Sequence, residues 1–173
     1  MPRTYVSLTL DDAKRMLSAA EAKAASLGIP YCVAVVDAGG HLVSFLRQDG
    51  ALIGSVDLAI GKAATARIFD KTTSNLATLA QSGEPLFGIQ ESNGGKVVIF
   101  GGGVPVVLDQ TIVGAVGASA GTVEQDIAVA EAAIAALDHL ALSSDDQLRC
   151  KWWRPEHTEV DSSRVGASRK ERR

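Results

Sequence analysis

The side chains with the clearest capacity for chemistry form an acid–base set at predicted strand ends, on a helix rich in small residues and in a glycine-rich loop. They are Asp37, Arg47, Asp49, Asp57, Lys62 and Glu91. Arg47 carries the planar fork that holds a carboxylate through two hydrogen bonds, and Glu91 or Asp126 is a candidate catalytic proton carrier. The set suits an enzyme that acts on a small organic acid. The alternative is that these charges make solvated or helix-pairing contacts, and no specific motif favours catalysis.

A run of glycines is the second candidate feature. Gly101, Gly102 and Gly103 precede Val104 and Pro105. Glycine adopts backbone conformations closed to other residues, so main-chain N–H groups can face a ligand here, although a purely structural bulge explains the same pattern.

We expect the binding site where residues 100–105, the loop 88–95 and the helix start at 119–126 converge, near a subunit boundary. Arg47 is the predicted anchor for a ligand carboxylate. The predicted ligand-binding residues are Arg47, Phe100, Gly101, Gly102, Gly103, Val104, Pro105, Ser119 and Gly121.

Common catalytic and metal-binding motifs are missing from the sequence. It contains no nucleophile elbow, HExxH, phosphate loop or paired CxxC, and the contiguous glycines run into Pro105 rather than opening a helix. Cys32 and Cys150 have no partner cluster of the kind that a zinc site needs. We therefore predict no metal centre, and two reduced thiols in a cytoplasmic protein.

The elements that position these residues alternate between helical and strand patterns. A first helix is capped by Thr9, with Asp12 at capping-box spacing, and ends at Gly28. Strands are predicted at residues 31–36, 42–47, 96–100 and 111–119, with a short fifth at 104–108. Further helices are predicted at 55–69, from a Ser74 cap to Ala80, and at 123–140. The order predicts an α+β fold, an antiparallel sheet of about five strands with packed helices.

Several segments resemble one family in order and spacing. They are DAGGHLVSF at residues 37–45, the run 57–62, GEPLFGIQ at 83–90, IFGGGVP at 99–105 and GAVGASAGTVEQD at 114–126. Across residues 8–140 the chain resembles the GlcG/HbpS-like family, often called haem-degrading and also found as the C-terminal domain of PduO-type proteins. The resemblance implies a profilin- or PAS-like domain, assembly into homo-oligomers, and haem or a corrinoid as the ligand.

Haem is the cofactor that this resemblance implies, and the sequence offers few axial donors for its iron. They are His41, His139 and His157, followed by Cys32, Cys150, Met16, Tyr5 and Tyr31. An exposed position or a helix-capping role explains each histidine more simply than iron ligation. Haem would then bind on the surface or at an interface without a strong protein ligand. Two functions stay open: a small-ligand-binding protein for haem or a corrinoid, and a catabolic deaminase, isomerase or hydrolase acting on an organic acid.

Composition bounds the remaining partners and the domain count. The chain has 173 residues and a formal net charge of −3, which argues against a general nucleic-acid or anionic-membrane binder, and no apolar run is long enough to span a membrane. We predict one domain at residues 1–142 and an extension at 143–173, whose last dozen residues are disordered. Trp152 and Trp153 are predicted to dock on the domain or on a neighbouring subunit.

Overall fold

The helices and strands follow the predicted order, with one strand fewer. The computed structural model describes residues 5–138. The elements are α1 (Leu10–Leu27), β1 (Cys32–Asp37), β2 (Leu42–Arg47), α2 (Ser55–Ile68), α3 (Thr73–Leu79), a 3-10 turn (Ile89–Glu91), β3 (Gly103–Leu108), β4 (Thr111–Ser119) and α4 (Val123–Asp138). The predicted extension 143–173, with Cys150, Trp152, Trp153 and His157, lies outside the described residues, as does His139.

The strands form one antiparallel sheet in the order β2–β1–β4–β3. This confirms the α+β class, but the expected strand at residues 96–100 is wrong, because that segment joins no ladder of the sheet. Its Val98 N–H donates instead to Thr65 Oγ1 on α2, at 3.0 Å, and Val97 is buried. A β-branched run can thus be extended and buried while its partner is a helix.

Helices cover both faces of the sheet. On one face, α1 and α4 pack on Val33, Val35 and Val116. On the other, α2 presents Ala59, Ala63 and Ala66 to Ala34 and Ala115. None of the helices described between residues 10 and 138 is long and apolar enough to cross a membrane.

The helix ends show which capping predictions hold. Thr9 and Asp12 form the predicted capping box at the start of α1. Thr122 and Gln125 form a second at the start of α4, where Thr122 N–H donates to Gln125 Oε1 at 2.9 Å. The Ser74 cap is wrong: Thr72 caps α3 by accepting from the Asn75 N–H at 3.1 Å, because its extended backbone directs the hydroxyl at the free amides of the first turn.

Gly117 sets how closely α2 approaches the sheet. A side chain on this residue of β4 would collide with the Ala59 carbonyl oxygen and the Ala63 nitrogen of the helix backbone. Backbone atoms cannot rotate away as a side chain can, so the sheet and the helix would have to separate.

We therefore expect Gly117→Ala to lower the free energy of unfolding by about 1–3 kcal/mol, measured in a urea titration. The matched control is Gly54→Ala, since Gly54 has helical φ and ψ and a Cβ added there would meet nothing within 4 Å. That control should stay within about 1 kcal/mol of the parent protein. A Gly117→Ala variant as stable as the control would show that the helix is free to shift.

Candidate functional site

A buried ion pair connects the two helical layers. The Lys62 ammonium, on α2, donates to Asp126 Oδ2 on α4 at 2.5 Å and to the Ala118 carbonyl of β4 at 3.0 Å. Lys62 is 0% exposed and Asp126 4% exposed. Because α2 and α4 pack on opposite faces of the sheet, the Lys62 side chain reaches from one layer to the other.

The second carboxylate oxygen of Asp126 occupies the turn between β4 and α4. Asp126 Oδ1 accepts from the N–H groups of Ala120 at 3.1 Å and Gly121 at 3.0 Å. Ala120 and Gly121 lie in the turn just before Val123, the first residue of α4. The protein's own carboxylate therefore fills this turn, and the predicted ligand contact at Gly121 already has a partner.

Two aromatic side chains complete the surroundings of the ion pair. The Phe100 ring lies over Lys62 Nζ, 4.6 Å from its centroid, and remains 39% exposed on its other side. Burial lowers the pKa of Lys62, and the contact with Asp126 opposes that change. Burial, together with the negative charge of Asp126, raises the pKa of the Tyr31 hydroxyl.

The glycine run packs against this ion pair. Gly102 has a φ of +112°, and an added Cβ would lie 2.7 Å from the Ala118 oxygen and 2.9 Å from Lys62 Nζ. The Gly103 N–H donates to Thr73 Oγ1 at 2.9 Å, and the Gly102 carbonyl accepts from the Ala118 N–H at 2.9 Å. The predicted need for glycine has a physical cause in the buried ammonium, and these contacts favour the structural interpretation of the run.

A cavity of about 540 Å³ lies on the other side of α2. Its apolar wall consists of Leu58, Ile60, Gly61, Ala64 and Val98. Asp57, Gly95 and Lys96 complete the lining. Only Gly95 comes from the predicted 88–95 loop. Gly61 helps to keep the cavity open, because a Cβ there would lie 2.9 Å from Val98 Cγ2.

The structure brings together some of the predicted site residues and separates others. Asp126 is half of the ion pair, and Phe100, the glycines 101–103 and Ser119 lie near it. Ser119 is buried at the end of β4. Val104 and Pro105 are half-buried on the edge strand β3. Arg47 is exposed on β2, the opposite edge strand, where it pairs with Cys32. Glu91 is exposed in the 3-10 turn, and no described hydrogen bond or ion pair joins it to Asp126.

The pairing of Lys62 with Asp126 was missed by the sequence reasoning, which named Lys62 in the acid–base set and Asp126 as a candidate proton carrier but did not connect them. A signal was present, since Lys62 falls between Ala59 and Ala66 at the helical spacing of the buried stripe. A lysine in that stripe requires a buried partner of opposite charge. The sequence does not say which carboxylate supplies it.

We expect Lys62→Met to lower the free energy of unfolding by about 3–5 kcal/mol, because it leaves the Asp126 carboxylate buried without its cation. Asp70→Asn is the matched control: it removes a surface pair with Arg67 at the end of the same helix, and the Asp70 side chain is 55% exposed. The control should cost less than about 1 kcal/mol. Equal losses for both variants in chemical denaturation would contradict a special role for the buried pair.

Comparison with known proteins gives a consistent result. The family described as "Haem degrading protein HbpS-like" matches residues 8–135. An uncharacterized 15.0 kDa protein from the dhaT–dhaS intergenic region of Citrobacter freundii is 43% identical over 128 residues, which cover 74% of this chain and 90% of that protein.

Two further matches concern PduO. The corrinoid adenosyltransferase PduO of Salmonella typhimurium is 38% identical over 135 residues, 78% of this chain, but the match spans only 40% of PduO. A crystal structure described as a PduOC:heme complex superposes with a TM-score of 0.73 at 39% identity, covering 76% of this chain and 95% of that one. The family match and these identities confirm the resemblance found in the sequence: the chain belongs to the HbpS-like family.

Proposed function

We propose that the protein binds a small ligand, and that the ligand is haem held in the cavity beside α2. The observation that carries the proposal is the cavity itself. Its volume, about 540 Å³, falls within the range of roughly 300–1,000 Å³ typical of small-molecule sites. The aliphatic wall suits a flat apolar macrocycle, and the Lys96 ammonium suits a propionate. The 39%-identical structure with haem supports the choice of ligand.

The cavity fits the macrocycle better than it fits the iron. None of its lining residues is a histidine, cysteine, methionine or tyrosine. His41, the one histidine among residues 5–138, lies at the β1–β2 turn with its Nδ1 3.5 Å from Asp37 Oδ1. Ligand binding would thus depend on apolar contact and on Lys96.

A corrinoid is the second macrocycle that the family resemblance implies, and it would compete for the same apolar wall. The enzyme alternative has less support from the geometry. Arg47, Glu91 and Asp126 were its candidate groups, but they lie on an edge strand, in an exposed turn and in a buried ion pair. An acid substrate held by Arg47 would not be close to Asp126 by any described contact.

Haemin titration, followed by visible absorbance, tests the cavity. Lys96→Ala should weaken haemin affinity about ten- to a hundredfold if a charge-assisted pair worth about 1.5–3 kcal/mol is lost. Ala64→Trp should weaken it further by filling the cavity. Lys71→Ala, which removes an exposed lysine elsewhere, should leave affinity unchanged.

Arg47→Ala distinguishes the cavity from the site predicted by sequence. If haemin affinity falls with Arg47→Ala and not with Lys96→Ala, the ligand binds near β2 and the cavity is not the site. If hydroxocobalamin displaces haemin from the parent protein, the cavity accepts corrinoids as well.

We also propose that the protein works as a homo-oligomer. Large apolar side chains stay exposed on the isolated chain, with Ile53 80%, Phe87 67% and Leu52 66% exposed. Covering such residues is a common use of symmetric interfaces. Light scattering at micromolar concentration should give a multiple of 18.0 kDa, and Ile53→Asp should reduce it. A monomer of the parent protein would contradict the proposal.

A further inference from the structure

The ion pair beneath Phe100 also brings together groups that can do chemistry. Lys62, Asp126 and Tyr31 come from α2, α4 and the residue before β1, and each is at most 4% exposed. Lysines are almost never fully buried without a partner, and here the partner is a carboxylate that accepts a hydrogen bond from the ammonium. The Tyr31 hydroxyl lies close enough to Asp126 for that carboxylate to raise its pKa. A buried amine beside a carboxylate that can take up its proton is a chemically capable group.

We propose that Lys62 is a reactive amine that condenses with a small neutral aldehyde, with Asp126 as proton carrier and counter-ion and Phe100 as a movable cover. This activity is independent of haem binding in the cavity. Phe100 separates the ammonium from solvent by the thickness of one ring, since one face lies over Nζ and the side chain is 39% exposed. Rotation of that ring opens a path to the amine.

The reaction conserves atoms and charge. The Lys62 ammonium gives a proton to Asp126 Oδ2, and the neutral amine attacks the carbonyl carbon to form a carbinolamine. Asp126 returns the proton to the hydroxyl, which leaves as water as the C=N bond forms. The product is a protonated imine that carries the same single positive charge as the original ammonium, so Asp126 keeps its partner.

That conserved charge selects the class of ligand. Acylation would turn Lys62 into a neutral amide and leave the Asp126 carboxylate buried and unpaired, at a large free-energy cost. Imine formation avoids this cost. A ligand with its own carboxylate would be repelled by Asp126, and the closeness of Gly102 to the amine restricts size. The site therefore favours small uncharged aldehydes.

Reductive trapping tests the proposal on the intact parent protein. The protein is treated at neutral pH with acetaldehyde and cyanoborohydride, and in parallel with an acetylating ester, and lysine modification is followed by peptide mass spectrometry. The exposed Lys71 serves as the internal reference. We expect the ratio of ethylation to acetylation at Lys62 to exceed the same ratio at Lys71 by at least about tenfold, which corresponds to 1.36 kcal/mol of discrimination.

Two phenylalanine variants test the cover. Phe100→Ala should raise the ethylation rate of Lys62 about tenfold, because the ring no longer has to rotate away and access then costs about 1.36 kcal/mol less. Phe87→Ala, which removes an exposed ring elsewhere, should not change it. If Lys62 stays unmodified by acetaldehyde in both the parent and Phe100→Ala, while Lys71 reacts, the amine is only structural. Equal ethylation and acetylation would show that both reagents reach Lys62 by local unfolding, which also overturns the proposal.

Discussion

The buried ammonium of Lys62 is the constraint on which the other features of this fold depend. Its removal from water carries a large desolvation cost, and the Asp126 carboxylate and the Ala118 carbonyl offset that cost only where they are placed accurately. Accurate placement requires α2 and α4 to hold fixed positions on opposite faces of the sheet. It also requires a residue without a side chain at position 102, since a Cβ there would crowd the nitrogen. The buried charge, the packing of α2 and α4 and the glycine at position 102 therefore depend on one another.

Helix α2 separates two chemically different environments through adjacent residues. Lys62 points into the polar centre between the layers, whereas Gly61 faces the apolar cavity, with Val98 opposite. The inner face of the helix is closed by contact with Gly117, so ligand-sized space exists on its outer face.

The sequence predicted the fold well where a local signal was sufficient. The Thr9–Asp12 capping box, the hairpin from β1 to β2 and the strand β4 could be predicted because periodicity and capping are properties of neighbouring residues. The segment 96–100 could not, since its β-branched residues look the same whether the partner is a strand or, as for Val98, a helix. The candidate site likewise combines features that a local signal predicts with features that only the tertiary structure shows. The requirement for glycine at position 102 was predictable, but the reason lies in Lys62, forty positions earlier, and only the tertiary structure joins them.

Pro105 has a consequence for how the sheet can grow. It lies in β3, which has a strand neighbour on one side only, and it lacks the N–H group that every other residue type contributes to a ladder. An incoming strand would find one donor absent in the middle of this edge, so continuous backbone pairing there is interrupted. The outer edge of β2 carries no proline between Leu42 and Arg47. The two edges of the described sheet therefore differ in their capacity to pair with another strand. The β3 edge, which follows the glycine run, is protected against uncontrolled strand addition.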